Sequence, residues 1–228
     1  MNGKIMSAVL IAILATSVAS AKKEKTITYG DSLLTDNLYG YSVRVTENWK
    51  VKGFNEPSIE RAFLEKKNYS VNREIQTYGG DYTIPTINIF VQEFNGTLDD
   101  FEALLKKSLD EHQSDNEIIR KLGLLRDSEL AISGNTEIDS LPARLVMLKR
   151  NYKRLLAGDP YGRSSSPATQ TEKYINDHEV HQLFLIKKDT CMIVFQAYCE
   201  REFYGKENKD EFEAMAMSLN FKKAGLQE

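Results

Sequence analysis

Thr83-Ile-Pro-Thr-Ile-Asn-Ile-Phe-Val-Gln-Glu-Phe-Asn-Gly-Thr-Leu-Asp-Asp-Phe-Glu-Ala-Leu-Leu-Lys-Lys-Ser-Leu109 changes its hydrophobic period halfway. Over 83–94 the period is two. Ile87, Ile89 and Val91 form one set, with Phe90 and Phe94 on the other face, which predicts a strand. Asn95-Gly96 breaks it. Thr97-Leu-Asp-Asp100 then reads as a helix start, with Thr97 as N-cap and acids in the first turn. Leu98, Phe101, Leu104, Leu105 and Leu109 follow at helical spacing. A strand feeding directly into an amphipathic helix predicts a sheet with a helix laid on it.

Outward from this stretch, most other signals are strands. Tyr39, Tyr41, Val43 and Val45 alternate with polar residues, and Trp49 opens a second short strand. Residues 59–66 fit a strand or a short helix, and the polar run 68–81 with Gly79-Gly80 reads as a loop. Residues 116–122 continue the helical part, closed by Gly123. Two strands, 125–132 and 143–153, are expected to join at Ser133-Gly134-Asn135. The last hairpin, 172–186 with 191–200, turns around Lys187-Lys188-Asp189-Thr190, and a helix follows from about Lys209, with Phe212, Met215, Ala216 and Leu219 on one stripe. Hairpin joints favour antiparallel pairing. The expectation is one α+β domain over 38–221, a mostly antiparallel sheet of about six strands sandwiched by α-helices. Residues 156–171, rich in Gly, Pro and Ser, form its longest loop, and 222–228 a tail.

The beginning of the chain reads differently. Lys4 precedes an apolar stretch from Ile5 to Val18, and Ala19-Ser20-Ala21 offers small residues for cleavage. The stretch falls short of the roughly 20 apolar residues that a spanning helix needs. Residues 1–21 are therefore expected to be a signal peptide, and 22–37 a flexible polar leader. No cysteine lies near the cleavage position to carry a lipid. The expected product is exported, periplasmic or secreted, with no stable membrane span.

The whole chain of 228 residues carries a net charge of −3, which gives no basic footprint for nucleic acid. Cys191 and Cys199 lie in one strand about 26 Å apart, whereas a disulfide needs Cα atoms within about 7 Å. Both are expected to be reduced and buried on the face shared with Ile193, Phe195 and Ala197.

The order of parts is similar to that of a known family. Leu38-Tyr39-Gly40-Tyr41-Ser42-Val43 leading to Trp49-Lys50-Val51 resembles the opening of the PsbP/Mog1/DcrB-like superfamily. Ile87-Asn88-Ile89-Phe90-Val91, then Thr97-Leu98-Asp99-Asp100-Phe101, resembles its central strand and long helix. The closing hairpin and Phe212-Glu-Ala-Met-Ala-Met-Ser-Leu-Asn-Phe221 resemble its end. The resemblance implies an antiparallel sheet between helices and a non-enzymatic accessory role on large complexes, with no catalytic residues to carry over.

Little in the residues points to chemistry. His178 and His181 face opposite sides of a strand. Asp177, Glu179 and His181 share one face, which reads as solvated and polar rather than as a metal patch. His112 suits a helix C-terminus. Ser164-Ser165-Ser166 lacks a nucleophile elbow, and Gly79-Gly80 and Gly96 lack phosphate-loop spacing. No cofactor, metal or catalytic set is expected. Arg150, Tyr152, Lys153 and Arg154 cluster beside the 156–171 loop, which adds Tyr161 and Arg163. Tyr and Arg are favoured at interfaces, so Arg150, Tyr152, Arg154, Tyr161 and Arg163 form the candidate interaction surface, set against the plainer reading of a basic strand end. The function expected is an exported, soluble, non-catalytic accessory protein acting on an envelope complex. An exported hydrolase with scattered acids and a carrier of small apolar ligands are the alternatives.

Overall fold

The computed structural model describes residues 26–54, 58–67, 83–156 and 173–221. Of 154–156 and 173–175 it describes the backbone only.

Among the described residues, two antiparallel sheets account for the strands. The larger has seven, in the order β4-β5-β6-β10-β9-β8-β7, formed by β4 (Trp49–Gly53), β5 (Glu60–Lys66), β6 (Thr86–Glu93), β7 (Ser128–Ile138), β8 (Leu141–Leu156), β9 (Lys173–Lys188) and β10 (Cys191–Glu200). The smaller has four, β1-β2-β3-β11, formed by β1 (Ile27–Gly30), β2 (Leu33–Asp36), β3 (Tyr41–Arg44) and β11 (Asn220–Phe221). The helices are α1 (Leu98–Glu111), α2 (Glu117–Lys121) and α3 (Lys206–Met217). The fold is thus α+β and antiparallel, with larger sheets than the six strands expected.

The large sheet has a hydrophobic layer on each face. One face packs Leu64, Ile87, Ile89, Phe184, Phe195 and Cys199 against Phe212, Met215 and Ala216 of α3 and against Leu34, Tyr41 and Val43 of the small sheet. The other packs Phe90, Val146, Leu148, Leu183, Leu185 and Val194 against Phe101, Leu105 and Leu109 of α1 and against Ile118 and Ile119 of α2. Burial on both faces explains why β6 and β10 read as nearly continuous apolar runs.

Helix α1 begins where the sequence places it. Thr97 Oγ1 accepts from the Asp100 N–H at 3.1 Å, and Asp100 accepts from the Thr97 N–H at 2.8 Å, a reciprocal capping box. It ends at His112, whose left-handed φ of 55° closes the last turn.

Three sequence expectations need correction. The leader is not featureless, because residues 27–36 form the β1–β2 hairpin and bury Leu34 completely. Its turn is Asp31-Ser32, both left-handed at φ 51° and 59°, the geometry of a two-residue hairpin turn. Secondly, Ser133-Gly134-Asn135 lies within β7, and the β7–β8 turn is Asp139-Ser140, again left-handed at 48° and 63°. Thirdly, Cys191 is only half-buried, though both thiols are free and Cys199 is fully buried, as expected. Residues 59–66, left open between strand and helix, are strand β5.

Two polar anchors tie the layers together. The Asp36–Arg61 ion pair, at 2.7 Å and fully buried, joins β2 to β5 across the two sheets. Glu211 of α3 accepts from Trp49 Nε1 at 2.9 Å and pairs with Lys66 at 2.7 Å.

Candidate functional site

The two longest strands outrun their neighbours. β8 and β9 pair along their full lengths, from Ala143 opposite Ile186 to Leu156 opposite Lys173. β7 starts at Ser128, opposite Arg150, and β10 stops at Glu200, opposite Glu179. Residues 151–156 and 173–178 therefore make six further pairs with no other strand beside them among the described residues. At strand rise this two-stranded arm is about 20 Å long. It carries the candidate residues, but not as an even cluster. Arg150 stands at its root and Tyr152 one step out. Arg154 lies further along, where only backbone is described. Tyr161 and Arg163 lie outside the described residues.

At the root, the sheet face that α1 and α2 cover turns from apolar to polar. Gln196 sits at the boundary. Its side-chain amide donates to the Leu122 carbonyl at 2.9 Å and to His181 Nδ1 at 3.2 Å, while its oxygen accepts from Asn88 at 3.4 Å. His181 Nε2 then donates to Glu179 Oε2 at 3.1 Å. These bonds select the Nε2–H tautomer. The imidazole also stacks on Tyr198, with ring centroids 4.9 Å apart. His178 lies on the opposite face, as strand alternation requires.

The network ends in two buried acids. Glu179 and Glu200 are directly opposite on β9 and β10 and both lie almost wholly out of solvent. All four of their carboxylate oxygens are occupied. Glu179 Oε1 accepts from Thr83 Oγ1 at 2.5 Å, and Oε2 accepts from His181 and from Arg150 at 3.1 Å. Glu200 Oε1 accepts from the Thr83 N–H at 3.1 Å, and Oε2 from the Tyr152 hydroxyl. Burial alone would raise the Glu179 pKa. The His181 and Thr83 bonds and the Arg150 charge outweigh it and hold the carboxyl down at about 2. Burial pushes His181 below its ordinary value despite Glu179, so the ring is neutral at pH 7.

The face carrying Glu179 and His181 is thus buried and bonded, not solvated as the sequence suggests. Arg150 and Tyr152 turn their polar ends inward, to Glu179 and Glu200. Glu200 escaped the sequence reading, although hairpin register counted back from the Asp189-Thr190 turn places it opposite Glu179. Among the described residues, no group of three His, Cys, Asp or Glu side chains is placed to hold a metal ion. An open cleft of about 480 Å³ lies where β7 ends and β8 runs on, lined by Asp127, Asn151, Tyr152, Lys153, Asp177 and His178 among others. A second open cleft, of about 360 Å³, lies beside Leu104, Ser108 and Glu111 of α1. Both are open to solvent, unlike the enclosing cavity that buries most of a small apolar ligand. No helix among the described residues is long and apolar enough to cross a membrane.

No family model matches this sequence, and no curated protein matches it. Similar solved structures do exist. LpqN of Mycobacterium tuberculosis, described as involved in cell envelope biogenesis, matches 80% of this chain and 83% of its own, with 9% identity and a TM-score of 0.42. A protein from Bacteroides thetaiotaomicron matches 82% of this chain and 46% of its own, with 9% identity and a TM-score of 0.33. The cyanobacterial PsbP of Synechocystis sp. PCC 6803 matches 87% of this chain and 94% of its own, with 12% identity and a TM-score of 0.47. A PsbP structure, of the kind the order of elements resembles, is thus among those to which this chain is similar.

Proposed function

We propose that this chain is an exported, non-catalytic accessory protein that docks on an envelope or membrane-associated complex through its β8–β9 arm. The observation that carries this reading is the arm itself: a two-stranded projection whose root is fixed by a buried network in which every oxygen of Glu179 and Glu200 accepts a bond. A fixed projection presents a surface without ordering it at the moment of binding, which lowers the entropic cost of association.

The same network argues against the hydrolase alternative. A general acid needs a raised pKa and a reachable proton. Glu179 is held low, and every oxygen of the Glu179–Glu200 pair already accepts a bond. Export rests on the apolar stretch at 5–18 and the Ala19-Ser20-Ala21 site.

The test is cross-linking in the intact host. One strain carries the natural chain. The other carries a chain whose residues 153–176 are replaced by a two-residue turn joining Tyr152 to Asp177. Recovery of one envelope complex with the first and its loss with the second is the expected result. Equal recovery from both would refute the arm as docking surface. Mature protein beginning at Met1 would refute export.

A further inference from the structure

We infer that the arm takes its partner by strand addition: an acidic, extended peptide segment pairs with the outer edge of β8, in line with β7. This rests on the arm being the docking surface.

Backbone direction selects the edge. The Asn151 N–H donates to the Asp127 carbonyl at 2.7 Å, on the β7 side. Alternation in an antiparallel ladder then turns the N–H and C=O of Lys153 and Leu155 to that same side. Both residues lie past the first residue of β7, and among the described residues no strand lies beside them. The opposite edge, along β9, is obstructed. There the His178 N–H is capped by Asp177 Oδ1 at 2.8 Å, and the 3₁₀ turn Arg201–Phe203 packs against the strand. β8 has no bulge in its register with β9, so its outer edge continues straight. β7, by contrast, carries a bulge between Leu130 and Ile132, a common way to blunt an edge.

Charge selects the occupant. At the root each cation has an acid beside it. Lys149 is opposite Glu129, and Arg150 is paired with Glu179. Further out, Lys153 is exposed and the sequence adds Arg154 and Lys173, so the arm carries three cations against one acid, Asp177. An edge lysine repels basic strands and discourages pairing with another copy of itself, whereas cross-strand opposite charges add to the ladder. The cleft at Asp127, Asn151 and Lys153 gives the added strand room to start. Main-chain bonds supply affinity in this recognition mode, and alternate side chains supply specificity.

The experiment uses the full mature chain and two synthetic eight-residue peptides, one alternating Glu with Thr and one alternating Lys with Thr. Binding is read by fluorescence anisotropy and by exchange of the Lys153 and Leu155 amides. The acidic peptide is expected to bind and to slow both amides, and the basic peptide to do neither. Leu155→Pro removes one outward donor while sparing the ladder to β9, and should weaken binding about tenfold, as the loss of one such bond implies. Lys153→Glu, which leaves the backbone untouched, should reverse the preference between the peptides. Binding of the acidic peptide that ignores Leu155→Pro and leaves the amides unprotected overturns strand addition. So does binding of phosphatidylglycerol vesicles with neither peptide bound, or no binding by any probe. Those results leave the docking role of the arm to the cross-linking comparison, which fails separately.

Discussion

Glu179 and Glu200 face each other across adjacent strands, both buried, and a single residue, Thr83, donates to each: its hydroxyl to Glu179 and its backbone N–H to Glu200. Like charges directly opposite on a sheet destabilise it. Here Arg150, His181, Tyr152 and Thr83 together compensate that cost. The pair holds the first residues before β6, the end of β10 and the root of the arm in one place.

Thr83→Val keeps the shape and the backbone bond but removes the hydroxyl donor to Glu179. It is expected to lower unfolding free energy by about 1.5–3 kcal/mol, the range for a bond to a charged group. Denaturant titration of the variant checks this. A loss below about 0.5 kcal/mol would mean the hydroxyl bond carries little.

Stability should fall with acid in two stages. His181 is held below its ordinary value of 6.5, so below pH 6.5 the unfolded chain binds the proton more readily and folding weakens. Glu179 is depressed from 4.5 to about 2, so its contribution is complete above pH 4.5 and is lost as pH falls from there through about 2. Thermal melts from pH 8 to pH 3 should show both. His181→Gln should shrink the limb between pH 6.5 and pH 4.5, leaving the part due to His178, which burial also holds below its ordinary value. It should shrink the lower limb as well, because the His181 bond helps hold Glu179 down.

Asp36→Ala strands the Arg61 guanidinium inside the protein with its carboxylate gone. Breaking a buried pair from one side costs about 3–5 kcal/mol. The double variant Asp36→Leu/Arg61→Met, which removes both charges, should recover most of that loss in the same denaturation assay.

The two thiols should separate cleanly. Burial pushes Cys199 up to about 12, whereas Cys191 is partly exposed and free. Iodoacetamide on the native protein should modify Cys191 and spare Cys199 until denaturant is added, as mass spectrometry would show. Early labelling at Cys199 would contradict its burial.

Periodicity alone located α1, β6, β10 and α3, because each buries an apolar stripe that survives as a pattern of three-four or two. The turns were less legible. Both two-residue hairpin turns among the described residues that adopt paired left-handed geometry are Asp-Ser, at 31–32 and 139–140. Glycine and asparagine are the usual markers of such turns, so Ser133-Gly134-Asn135 drew the expected turn away from its true place. Asp tolerates that region through its short polar side chain. Ser140→Gly should accordingly be tolerated or mildly stabilising. The site was legible in part. Arg150 and Tyr152 stood out as a cationic and aromatic pair, but their direction depended on Glu179 and Glu200, which are 21 positions apart and meet only through the register of one hairpin.

The arm has a mechanical consequence. Arg150 ties β8 to β9, Tyr152 ties β8 to the end of β10, and Thr83 joins both acids to the segment entering β6. A sideways load on the far end of the ribbon is therefore not absorbed by a hinge. It passes as bending stress into three strands whose central residues are sealed on both faces. The projection behaves as a cantilever clamped into the central strands of the large sheet, so a tug at its tip is resisted by β6, β9 and β10 together.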